Sequence, residues 1–263
     1  MWIIDGWADR GYLPLRDTLM TLQALNHLEL QLHSFSTDNL RPPIVIPTIR
    51  FLQIAGIYLR VGGLEIDPEG DVCLDDIIHS IYAESLTTLS IDGWNRIPGL
   101  DLSRDEELKS HFPSLQHLIL RNISPYMPDL RVVARRFPGI ERLTCHAQEP
   151  LNPATSDIHH IITQAVPCPG CRERNEDDEG DATSRQCWPK LHTIAATASD
   201  TPLDVVALHD EISHLQGAGH PIRKLKLPRH LCQMAGAEAM AYLRTIVEVD
   251  DFGMDWPTPF EFI

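Results

Sequence analysis

Long apolar runs are missing from this 263-residue sequence. None approaches the length of about 18 residues that a membrane-spanning helix needs, so no span is predicted. Positive charge is scarce as well: 22 Lys and Arg stand against 37 Asp and Glu, a formal net charge of −15. A nucleic-acid surface needs cations to neutralise phosphates, and an anionic membrane attracts basic segments, so neither nucleic acid nor membrane is expected as a partner. The start, Met1-Trp2-Ile3-Ile4-Asp5, lacks the basic residues and apolar stretch of a signal peptide. The six cysteines follow no disulfide-framework spacing, which suits a reducing compartment, cytoplasmic or nuclear.

Catalytic groupings are absent too. There is no G-x-S-x-G elbow, and no serine, histidine and acid grouping rises above background. Asp251-Phe252-Gly253 spells the magnesium-binding tripeptide of protein kinases, but no glycine-rich phosphate loop or His-Arg-Asp loop accompanies it. His209 and His214 are five apart, which puts them on different faces of a helix. The chain is expected not to be an enzyme.

What is present is a repeated phrase. Phe112-Pro113-Ser114-Leu115-Gln116-His117-Leu118 returns as Phe137-Pro138-Gly139-Ile140-Glu141-Arg142-Leu143 and as Trp188-Pro189-Lys190-Leu191-His192-Thr193-Ile194. A shortened form is His220-Pro221-Ile222-Arg223-Lys224-Leu225. Proline cannot continue a helix and pushes the residue before it into an extended conformation, so each phrase marks a helix stopping and a strand starting. The spacing L-x-x-L-x-L extends the series: Leu25, Ile49, Leu86, Leu115, Ile140, Leu191, Ile222 and a poorer Leu243 each open one copy. The intervals run from 21 residues (Ile222 to Leu243) to 51 residues (Ile140 to Leu191), which fits an irregular leucine-rich array better than a propeller.

Helical patterns fill the gaps. Ile77, Ile78, Ile81 and Tyr82 follow Asp75-Asp76, and Ser103-x-x-Glu106 forms a capping box before Phe112. Further apolar stripes run over Leu130 to Phe137, Ile158 to Ala165 and Val205 to Leu215, the last with Gly217 and Gly219 as C-terminal caps. The predicted fold is α/β: one domain over residues 1–263, an irregular leucine-rich-repeat solenoid with short parallel strands on the concave face and helices on the convex face. The asparagine or cysteine that usually bonds the loop of such repeats is replaced by His33, Trp94 and Ile123, so the turns must be satisfied otherwise.

One insertion interrupts the repeat. Residues 167–187 hold Pro167-Cys168-Pro169-Gly170-Cys171, an acidic run predicting a mobile loop, and then Cys187. C-x-x-C around Pro-Gly lets two thiolates point at one tetrahedral zinc ion, with Cys187 as third ligand and Cys145, His159, His160 or His192 as fourth. A loop with two nearby thiols and no metal is the other reading. In the first case the chain is a zinc-stapled scaffold or interaction protein acting through this insertion.

Side chains alternate along a strand, so the positions between the leucines line the concave face. That places Phe51, Gln53, His117, Ile119, Arg121, Arg142, Lys224 and Lys226 together. Phe51 and Ile119 are expected to be exposed apolar residues there. The four cations make a positive stripe on an acidic protein, suited to an acidic peptide or protein partner.

The phrases from Phe112 to Leu120, Phe137 to Leu143 and Trp188 to Ile194, with the end Leu243 to Phe252, resemble the leucine-rich-repeat regions of fungal F-box proteins over roughly residues 20–255. In that family the repeats choose the substrate and the F-box docks the adaptor of a cullin-type ubiquitin ligase. The resemblance implies a substrate-recognition role. Residues 1–20 are too short for an F-box, Pro14 and Leu15 being its only echo, so the adaptor is not expected to bind this chain.

Overall fold

The computed structural model describes residues 2–4, 12–32, 42–56, 74–92, 111–123, 130–147, 157–165, 188–196 and 202–252. Its strands are β1 (Trp2–Ile4), β2 (His27–Leu32), β3 (Ile44–Val45), β4 (Phe51–Gly56), β5 (Ile81–Tyr82), β6 (Thr88–Asp92), β7 (His117–Ile123), β8 (Arg142–Ala147), β9 (Thr193–Ala196), β10 (Lys224–Leu227) and β11 (Glu248–Asp251). Its helices are α1 (Tyr12–Thr21), α2 (Leu74–Ser80), α3 (Leu130–Arg136), α4 (Asp157–Ala165), α5 (Val205–Gly217), α6 (Arg229–Ala235) and α7 (Ala237–Leu243). The class is α/β. Nine strands make one sheet in the order β1-β2-β4-β6-β7-β8-β9-β10-β11, with every pairing parallel. β3 and β5 pair with each other in a second, two-stranded sheet.

Leucine spacing explains the register. Leu28, Leu52, Leu89, Leu118, Leu143, Ile194 and Leu225 are cross-strand partners, each 1 % exposed or less. A second column, two residues on, runs through Leu30, Ile54, Ile91, Leu120, Cys145, Ala196 and Leu227. Both columns join the apolar stripes of the helices in one core. Fully burying one such leucine is worth about 1.5–3 kcal/mol, so a column spanning seven strands contributes roughly 10–20 kcal/mol against the ordering entropy.

The repeated phrase builds a turn. The N–H of its first apolar residue donates to the carbonyl three residues earlier: Leu25 to Leu22, Ile49 to Ile46, Leu86 to Ala83, Leu115 to Phe112, Ile140 to Phe137, Leu191 to Trp188 and Ile246 to Leu243, at 3.0–3.4 Å. Proline suits the second position of such a turn because its φ is already set. Ile46-Pro47-Thr48-Ile49 is therefore a further proline phrase. The last unit opens at Ile246 and not at Leu243, because Leu243 occupies the buried corner filled by Phe112 and Phe137 elsewhere.

A backbone column satisfies the turns. Arg50 and Phe51 both donate to Asn26 O, Thr87 and Thr88 to Arg50 O, and Gln116 and His117 to Thr87 O. The series continues through the carbonyls of Gln116, Glu141, His192 and Arg223. Each accepting residue immediately precedes a strand, so the column stitches every unit to the next.

Some local expectations change. Ile81 and Tyr82 belong to β5, because α2 ends at Ser80 and the chain there pairs with Ile44 and Val45. Trp188, before Pro189, is not extended: its φ is +46°. α5 buries Val205, Leu208, Ile212 and Leu215, and the Asp204 carboxylate accepts from Ala207 N–H at its start. Gly217 is its last residue, and the left-handed position that only glycine adopts cheaply falls at Gly219, φ +92°. The Ser103 capping box lies outside the described residues.

His220, 7 % exposed, gives the fold a pH response. Burial lowers its imidazole below the usual value of 6.5. The unfolded chain therefore binds this proton more readily than the folded one, and stability rises with pH across the gap. Melting temperature is expected to fall between about pH 7.5 and pH 5, which bracket the ordinary imidazole range. The His220→Gln variant should show a flatter profile. Equal slopes in the two proteins would remove His220 as the cause.

Candidate functional site

The sheet surface opposite the leucine columns carries all eight residues named for partner contact. Its first row runs Phe51, Thr88, His117, Arg142, Thr193, Lys224 and Glu248. Its second runs Gln53, Ser90, Ile119, Thr144, Ala195, Lys226 and Asp250. Arg121 lies in a third row beside Asp92 and His146. Strands stand about 4.8 Å apart, so Phe51 and Lys224, five strands apart, are separated by roughly 24 Å. One small-molecule site does not gather these residues; an extended surface does.

Its middle is closed. Ile119 is 1 % exposed and Gln53 7 %, so the expectation of an exposed Ile119 is corrected. Long side chains of the outer rows lean inward. Arg121 Nη1 donates to Gln53 Oε1 at 3.3 Å across β6, and its Nε lies 4.0 Å from Asp92 Oδ2. His117 Nε2 is 3.0 Å from Thr144 Oγ1 on the next strand. Between these contacts the Ser90 hydroxyl is fully buried and its oxygen makes no hydrogen bond. Such a group costs about 1–3 kcal/mol, and nothing in the sequence pattern signals it. Phe51 stays half-buried, its ring centroid 6.0 Å from that of His27.

The positive stripe is partly neutralised within the chain. Lys224 Nζ sits 2.9 Å from Glu248 Oε1 and 2.8 Å from Asp250 Oδ2. These hydrogen bonds raise the Lys224 ammonium above its usual range and hold the Asp250 carboxyl below its own. Arg121 faces Asp92. At the far end Phe252 reaches back to His146, ring centroids 5.4 Å apart. Sequence reasoning missed the carboxylates, although Glu248-x-Asp250 matches the alternation of Lys224-x-Lys226.

No protein-family model, curated protein or solved structure matches this chain.

Cys168, Cys171 and Cys187 lie outside the described residues, as does all of 167–187. Among the described residues no three His, Cys, Asp or Glu side chains gather as a metal site. The fourth-ligand candidates are dispersed. Cys145 is in the core column of β8. His159 Nδ1 on α4 lies 3.2 Å from Glu211 Oε2 on α5, and His192 Nε2 lies 3.8 Å from Glu141 Oε2. Burial pushes the Glu211 carboxyl up, with His159 pulling it back. Among the described residues no helix is long and apolar enough to cross a membrane.

Proposed function

We propose that this chain is a non-enzymatic protein-binding module built as an irregular leucine-rich-repeat solenoid. Its partner surface is the sheet face opposite the core. The observation that carries this reading is the sequential parallel strand order, with the same turn bond before seven of the strands and the same carbonyl column running from β2 to β11. Each strand pairs only with its neighbours in the series, which is how repeat arrays present a long face to a macromolecule. By resemblance to the repeats of F-box proteins, the bound protein would be a ubiquitin-ligase substrate in cytoplasm or nucleus. An acidic partner has to compete with Asp92, Glu248 and Asp250 for Arg121 and Lys224.

The test is affinity capture with quantitative mass spectrometry. A Phe51→Ala, Arg142→Glu variant should lose its captured proteins at least about tenfold, the effect of one or two contacts worth about 1.4 kcal/mol each. Val206→Ser, on the exposed side of α5, should retain them. Equal capture by both variants would remove the face from consideration. The zinc-stapled alternative is read separately, by metal content of protein purified reduced beside a Cys168→Ser, Cys171→Ser variant. One zinc per chain, lost in that variant, would move the contact to the insertion.

A further inference from the structure

Among the described residues the carbonyl column ends on an acceptor that no further unit fills. Seven carbonyls, of Asn26, Arg50, Thr87, Gln116, Glu141, His192 and Arg223, each precede a strand and accept from the next unit. Val247 holds the eighth such place, immediately before β11, the last strand in the sheet order. Glu248 N–H donates to Arg223 O and Phe252 N–H to Leu227 O, so alternate residues of β11 face β10. In a parallel ladder the residues between them, Val249 and Asp251, turn their N–H and C=O outward. A cavity of about 490 Å³ lies along this edge, lined by Arg244, Thr245, Ile246, Val247, Glu248 and Val249.

We propose that the β11 edge receives an extended segment of a partner protein in which basic and apolar residues alternate, adding in parallel as a tenth strand. Two consecutive N–H groups of that segment donate to Val247 O, as Arg50 and Phe51 do to Asn26 O. Its apolar side chains continue the column of Leu225 and Val249. Its basic side chains fall opposite Glu248 and Asp250, since residues directly across a ladder interact most closely. Those carboxylates stand open on the last strand of the sheet order: Glu248 is 62 % exposed and Asp250 43 %, against 28 % for the Lys224 that pairs with them. β10 itself, Lys224-Leu225-Lys226-Leu227, shows the sequence type that pairs with β11. Exposed edges of this kind are used for strand addition, where backbone bonds give affinity and alternate side chains give selectivity. Strand addition rests on the backbone edge of β11 and the face reading on side chains of β4 and β8, so either can fail without the other.

The probe is an acetylated, amidated hexapeptide of alternating lysine and valine, added to the full chain and read by amide hydrogen exchange. Exchange at Val249 and Asp251 should slow about five- to tenfold, the factor one net hydrogen bond contributes. Asp251→Pro removes an outward N–H and no bond to β10, a substitution edge strands tolerate, and should abolish the effect. Asp251→Asn keeps the N–H and should preserve most of it. A hexapeptide with glutamate for lysine should leave exchange unchanged. Three results would overturn the proposal: no slowing with the lysine peptide, equal slowing with the glutamate peptide, or amides at Val249 and Asp251 already protected in the free chain. Sedimentation would then say whether a second copy of the chain holds the edge.

Discussion

Replacing Trp188 by alanine is expected to destabilise the fold by about 3–5 kcal/mol, the range for emptying a buried aromatic site. Trp188 is 1 % exposed and occupies the corner of the turn, the place Phe112 and Phe137 hold in the preceding units. Its indole Nε1 donates to Phe137 O at 2.9 Å, a bond joining positions 51 residues apart. Among the described residues that carbonyl otherwise accepts only the longer turn bond from Ile140 N, at 3.4 Å. In a chain of this size about 1 kcal/mol moves the melting temperature by roughly 2–4 °C, so a shift on the order of 10 °C is expected. Trp188→Phe should cost less, about 1–2 kcal/mol, because most of the apolar volume stays and one hydrogen bond goes. The backbone adds a sharper test. At φ +46° a side chain costs roughly 1–2 kcal/mol that glycine avoids, so Trp188→Gly should be no worse than Trp188→Ala. A marked extra loss for glycine would show that the left-handed corner carries no strain.

This residue also shows what a sequence says and where it stops. The spacing L-x-x-L-x-L sets the strand positions of β2, β4, β6, β7, β8, β9 and β10, because a period of two between buried positions is a local property. The helix stripe from Val205 to Leu215 is legible for the same reason. Proline marks the turns, yet Ile46-Pro47 falls outside the phrase because isoleucine stands where the other copies have an aromatic or a histidine. The last unit slips by three residues because leucine fills the corner and imitates a repeat start. β1, β3 and β5 are two or three residues long and carry no period. The conformation of Trp188 runs against the bias of residues before proline, and tertiary burial of the indole decides it.

The candidate face was legible as a register and illegible as a surface. Alternation alone places Phe51, His117 and Arg142 in one row. Whether a residue of that face meets solvent depends on which side chains lean over it from other strands. Arg121 and Gln53 are 68 residues apart, and Lys224 meets carboxylates 24 and 26 residues further on. Those contacts belong to the assembled sheet.

Ile119 is where this difference has the largest consequence. Ile119→Asp is expected to destabilise by more than about 3 kcal/mol, since it loses a buried apolar side chain and puts a carboxylate in its place. Its register partners are Ser90 and Thr144, both fully buried, and His117 and Arg121 flank it on its own strand. Were the centre of the face open to water, the same substitution would cost within about 0.5 kcal/mol. Denaturant titration distinguishes the two outcomes. Ile119→Val, which removes one methylene, should cost about 0.5–1.5 kcal/mol and leave partner capture intact. Loss of capture in a fully folded Ile119→Val protein would mean that the partner reaches the floor of the face. Retention, together with loss in the Phe51→Ala, Arg142→Glu variant, would assign contact to the outer row, with Ile119 and Ser90 as the floor that holds Arg121 and His117 in place.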